Sequence, residues 1–137
     1  MVKAERPVVN LDSLRVVFDD ERAVANAGLM LPASLAGRLG IEALVNEAVD
    51  LAGRTGGVLP GRNVLSLVHG MLAGGDCIDD MDVLRAGRSG LVLGHRVMAP
   101  SVLGTFLRAF TFGHVRQLDR VLDRTLGRAW APVIGGW

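Results

Sequence analysis

Two groups of residues near the carboxyl end are of the types and spacing that meet a polyanion. Ser101, Thr105 and Arg108 stand four and then three residues apart, so on a helix they share one face. Small hydroxyls approach a phosphate closely, and an arginine fork takes two oxygens or the edge of a guanine. Arg116, Arg120, Arg124 and Arg128 recur every four residues and form a slowly turning basic ridge suited to tracking a phosphate backbone. His114 opens this second segment and is placed to touch a phosphate or to help the turn. Asp119 and Asp123 each follow an arginine by three residues. Exposed pairs of that kind contribute only ~0.2–0.5 kcal/mol, and two acids leave four arginines with a net positive face.

Other chemistries find less support. Asp76, Asp79, Asp80 and Asp82 crowd one short stretch, but their spacing is not that of a calcium loop. Capping and the dipole at a helix start account for them, and no metal site is expected. Gly56 to Asn63 reads GGVLPGRN and loosely imitates a phosphate-binding loop. Arg62 replaces the lysine, Asn63 replaces the hydroxyl residue, and Pro60 intrudes, so the segment reads as a linker. His69 sits in the most apolar stretch and reads as a core or interhelix residue, while His95 lies in a loop beside Arg96. Cys77 is the single cysteine, which rules out an internal disulfide and paired-thiolate metal sites. Nothing pairs a histidine with Cys77 or a serine in the order nucleophilic catalysis needs.

At 137 residues, half of them apolar, the chain is of a size to bury one real core. Tyrosine is absent and phenylalanine and tryptophan are few, so Leu, Val and Ala must build it. A net charge of +1 conceals an asymmetry: residues 1–82 hold seven basic and twelve acidic side chains, and residues 83–137 hold eight basic and two acidic. A basic half beside an acidic half points to nucleic-acid contact or to an internal neutralising interface. The first ten residues carry no apolar secretory core, and no apolar run reaches the ~18–20 residues of a membrane span, so a cytoplasmic protein is expected.

The elements that must position these groups are mostly helical. Residues 1–13 read as a loose lead-in. Leu14 to Phe18, LRVVF, is the one convincing strand, and it lacks a partner strand. From Pro32 the apolar spacing is helical, with a stop at Gly40, and it resumes through Leu44, Val45, Ala48 and Val49. Residues 53–62 form a Gly/Pro loop. Val64 to Leu72 is apolar almost all round and reads as the buried centre. Asp76 or Asp79 caps a short helix ending near Leu84, and LVL (Leu91–Leu93) reads as a strand fragment. Pro100 is expected to fix the entry, and Ser101 to be the N-cap, of a helix to Phe110. The helix beyond it buries Val115, Leu118, Val121, Leu122 and Leu126. The expected fold is mainly α, a small helical domain over residues 14–128 with one orphan amino-terminal strand, followed by an apolar tail at 129–137.

Three segments carry a family resemblance. AGLMLPASLAGRLGIEALV (Ala27–Val45), LVHGMLAGGDCIDDMDVLRAG (Leu67–Gly87) and APSVLGTFLRAFTFGHVRQLDRV (Ala99–Val121) resemble the amino-terminal region of bacterial insertion-sequence transposases of the DDE group 1 type. The likeness covers about residues 14–128 and is most specific in the last two segments. It implies a parent enzyme that binds the terminal inverted repeats of its element as double-stranded DNA and moves it by cut-and-paste chemistry. In such enzymes three carboxylates on an RNase H-like sheet hold two Mg²⁺ ions. The first of those acids would follow the helix that ends near Arg128, so the resemblance assigns no catalytic residue and no cofactor to this chain. The orphan strand would belong to that absent sheet.

The sequence thus predicts a DNA-binding transposase fragment without catalytic residues, its contacts made by Ser101, Thr105, Arg108, His114, Arg116, Arg120 and Arg124. The first alternative is a helical module that dimerises or docks on a full-length transposase as an inhibitor, favoured by the apolar tail. The second is a metal-dependent nuclease built on Asp76–Asp82.

Overall fold

A computed structural model describes residues 19–55 and 58–134. Among them are seven α-helices and two short 3-10 turns, with no strand. The predicted strand Leu14–Phe18 lies outside the described residues, as does the lead-in. In order the helices are α1 (Met30–Leu39), α2 (Ile41–Ala48), α3 (Pro60–Leu72), α4 (Met81–Arg85), α5 (Ser89–Leu93), α6 (Pro100–Ala109) and α7 (Phe112–Ile134).

Glycine and proline set several boundaries. Gly40 closes α1 in the left-handed conformation, with φ of 68°, a geometry that penalises a side chain. Pro60 and Pro100 stand at the first turns of α3 and α6, where a missing N–H costs nothing. Pro100 takes the first helical position, so Ala99 is the N-cap and Ser101, expected in that role, lies inside the helix. Leu91–Leu93 is helical within α5, not a strand fragment. The break after α6 is only Phe110 and Thr111, and α7 then runs unbroken past Arg128 to Ile134. The first part of the expected tail therefore continues the basic helix.

Helix α2 is the hub, packed on α3 along one side and on α7 along another. Its Leu44 and Val45 meet Val49, Leu51, Phe106, Ala109 and Val121 in one apolar cluster. A second cluster joins Leu29, Met81, Leu84, Leu93, Val97 and Leu103. Helix α6 contributes to both, and Leu67 of α3 touches both.

Helix α3 turns an unexpected face inward. Gly61, Asn63, Leu65, Ser66, His69 and Gly70 are buried, while Met71 and Leu72 are more than half exposed. The reason is close approach. A Cβ on Gly61 would lie 2.5 Å from the Glu42 carbonyl oxygen, and Asn46 Oδ1 accepts from the Gly61 N–H at 2.8 Å. Only a residue without a side chain fits that near to α2, and Gly70 at the other end of α3 gives the same room to Met81 of α4.

No single helix among the described residues is long and apolar enough to cross a membrane. The 3-10 turn with α1, and α2 after it, reach that length only together and across a 53° bend.

Candidate nucleic-acid interface

Helix α6 brings the first predicted group together. Leu103, Gly104, Phe106 and Ala109 are buried, which turns Ser101, Thr105 and Arg108 outward. Thr105 Oγ1 donates to the Ser101 carbonyl at 3.0 Å, and Arg108 Nη2 donates to Thr105 Oγ1 at 3.4 Å. The arginine is thus laid along its own helix face while remaining exposed.

A second arginine, missed in the sequence, joins it. Arg54, in the loop after α2, donates from Nη1 to the Ala109 carbonyl at 2.9 Å. That carbonyl is at the carboxyl end of α6, where a cation is favoured by both hydrogen bonding and the helix dipole. Arg54, Thr105 and Arg108 line one shallow depression. Arg108 also lines the next, with Ser101, Arg85, Asp79 and Asp82. Arg85 and Asp82 lead into a third and larger cleft of about 690 Å³, where Arg88 and Arg96 stand with Gly87 and Gly90.

Shared lining residues make these three depressions contiguous. Five arginines follow one another along them: Arg54, Arg108, Arg85, Arg88 and Arg96. Two acids interrupt the band. Asp82 is paired with Arg85 at 2.6 Å, and Asp79 faces the middle depression. Arg88, Arg96 and Arg108 are exposed and have no carboxylate partner among the described residues. The band is therefore net positive, and a concave positive surface focuses field toward an anion.

The arginines of α7 do not form a single ridge. Arg124 crosses to the acidic half and makes two bonds to the Glu47 carboxylate, the shorter 3.1 Å. Arg128 donates to the Leu39 carbonyl at 2.6 Å, capping the end of α1 just where Gly40 leaves no side chain in the way. Arg116 is 3.7 Å from Asp119. Arg120 is exposed, and its expected partner Asp123 does not pair with it. So Arg116 and Arg120 face outward, while Arg124 and Arg128 tie α7 to α2 and α1.

His114 is not at the surface. It is 9% exposed, its Nδ1 meets both the Thr111 N–H and Oγ1 at 2.9 Å, and its Nε2 meets the Asp50 carbonyl at 3.0 Å. Accepting from the Thr111 N–H fixes Nδ1 as the bare nitrogen and leaves Nε2 to donate to Asp50. The ring stitches the α6–α7 junction to the end of α2 and has no nitrogen left for phosphate. Phe110 packs edge-on between it and Phe106.

The other histidines form a pair the sequence did not reveal. His69 Nδ1 lies 2.9 Å from His95 Nε2, with the rings stacked. His95 Nδ1 is 3.1 Å from the Arg96 carbonyl, which can only accept, so that nitrogen carries a proton. A neutral His95 then accepts at Nε2, His69 donates from Nδ1, and His69 Nε2 is a bare acceptor, buried without a partner. Burial first, and the neighbouring His95 second, hold the His69 imidazole below its ordinary pKa of 6.5.

Asp76, Cys77 and Asp80 place ligand-type atoms within 4.8 Å of one another on the surface. The Asp80 carboxylate is already engaged: Oδ2 accepts from the Asp76 and Cys77 N–H groups at 3.0 and 3.1 Å. Those bonds lower its pKa and make it a cap for the turn that starts α4. A thiol, one committed carboxylate and the single remaining carboxylate of Asp76 do not suit Mg²⁺, which takes several oxygen ligands. This cluster therefore does not fit the ion that the resemblance assigns to the parent enzyme.

No family model, no curated protein and no solved structure matches the chain.

Proposed function

We propose that this chain is a double-stranded DNA-binding module, the amino-terminal fragment of a cytoplasmic DDE group 1 transposase, without catalytic residues of its own. The reading rests on one observation above the others, the band of five arginines along three contiguous depressions. Arg88, Arg96 and Arg54 contact backbone phosphates, with Arg120 as an outlying contact. Ser101, Thr105 and Arg108 share the outer face of a ten-residue helix and read base edges from it. Arg124 holds the fold in place of a phosphate.

The roles separate by experiment. Arg108→Ala weakens binding to the ends of the element more than binding to random DNA. Arg96→Ala weakens both alike and flattens the salt dependence. Equal loss of both kinds of binding in the two variants removes this division. Incubation of the chain with supercoiled DNA and Mg²⁺ leaves the DNA intact, and cleavage that depends on Asp80 would make the chain a nuclease instead. A second reading, a helical module that docks on a full-length transposase, is favoured by the apolar outer side of α7.

A further inference from the structure

Helix α7 is apolar on two sides. Leu118 and Val121 lie against α2, and His114 against Asp50, just beyond the end of that helix. Phe112, Val115, Leu122, Leu126 and Trp130 are exposed by 78, 47, 58, 47 and 57%. At 3.6 residues per turn these five fall in one stripe, its centre roughly 115° around the helix from the α2-facing side. No element that packs on α7 from below can reach it. Their spacing matches the seam by which two helices pack along their length. Asp119 is the one polar interruption, and it is held by Arg116 at 3.7 Å.

Charge decides what covers the seam. Arg116 and Asp123 flank it on the same edge, seven residues apart, about 10 Å along the axis and too far to meet each other. Asp123 has no ion-pair partner among the described residues. A flank carrying one positive and one negative residue is self-complementary when it is reversed.

We propose that this seam binds a second copy of the chain, the two α7 helices lying antiparallel about a two-fold axis. Reversal sets Arg116 of each copy opposite Asp123 of the other, and Val115 opposite Leu126, each contact occurring twice as an isologous interface requires. Parallel pairing would bring the other edge, with Leu118 and Thr125, against the charged flank and leave both charges unmatched. A nucleic acid is a poor occupant, because the stripe is apolar. The arginine band lies on other elements, so the dimer stands whether or not that band binds DNA.

The test is analytical ultracentrifugation of the full chain without DNA. The unaltered protein shows a concentration-dependent monomer–dimer equilibrium, and Leu122→Glu is monomeric with an unchanged helical circular-dichroism signal, since Leu122 is exposed in the single chain. Of the two, only the unaltered protein melts at a temperature that rises with concentration. Arg116→Asp and Asp123→Arg each weaken dimerisation about tenfold, from two symmetric contacts turned repulsive, and the double variant restores it. A chain that stays monomeric at every concentration overturns the proposal, as does a dimer indifferent to Leu122→Glu. Charge reversals that add instead of cancelling overturn the antiparallel arrangement.

Discussion

Replacing Gly61 by alanine tests the close approach on which the whole helical arrangement depends. The new Cβ would lie 2.5 Å from the Glu42 carbonyl oxygen, 2.8 Å from Glu42 Cγ and 2.9 Å from Asn46 Oδ1. The first of these is backbone, so relief requires moving α3 off α2. Overpacking of that sort costs ~1–3 kcal/mol. Displacing the Gly61 N–H from Asn46 Oδ1, now 2.8 Å, costs about 1 kcal/mol more. Alanine's better helix propensity returns at most about 1 kcal/mol. The balance is a loss of about 2 kcal/mol. Gly127→Ala is the matched control: it sits inside α7 with nothing within 4 Å of its would-be Cβ, so only the propensity gain of up to ~1 kcal/mol remains. Urea unfolding of the two variants reads the difference, about 3 kcal/mol, directly. If Gly61→Ala were as stable as Gly127→Ala, α2 and α3 would not meet as described.

Stability should fall as pH drops through the histidine range. The folded state holds His69 below its ordinary 6.5, so the unfolded chain binds the extra proton. The contribution is complete above about pH 6.5 and is lost as pH falls toward the depressed value. His69→Leu should reduce that slope in urea midpoints measured from about pH 7.5 to about pH 5.5. Asp80→Ala should raise the hydrogen-exchange rates of the Asp76 and Cys77 amides, which its carboxylate now holds, and leave α7 unchanged. Arg124→Ala should cost little, within ~1 kcal/mol, because its pair with Glu47 is 46% and 65% exposed on its two sides and water screens it.

Local punctuation was the part of the fold legible in the sequence. Gly40 as a helix stop and Pro100 as a helix start both rest on backbone sterics that one residue dictates. Facing was not legible. Helix α3 has apolar residues nearly all round, and its facing was set by close approaches at its two ends, Gly61 against Glu42 of α2 and Gly70 against Met81 of α4. Helix α7 carries two apolar stripes, and periodicity cannot say which one finds α2. It was Val121 that was buried, while Val115, Leu122 and Leu126 stayed exposed.

The candidate site divided in the same way. Ser101, Thr105 and Arg108 share a face because helix geometry alone requires it. Arg54 reaches the end of α6 across 55 residues, and Arg124 reaches Glu47 across 77. Side chains joined over such separations leave no short-range signal. The four-residue repeat of arginines was real as a pattern, yet two of its members serve the fold.

The most direct test of the nucleic-acid reading is the salt dependence of binding to double-stranded DNA. Arg88→Ala, Arg96→Ala and Arg108→Ala combined should flatten the slope of log affinity against log salt by up to ~0.9 for each phosphate contact removed, while Arg124→Ala leaves it unchanged. A chain with no salt-sensitive DNA binding, or a triple variant that keeps the full slope, would contradict the account.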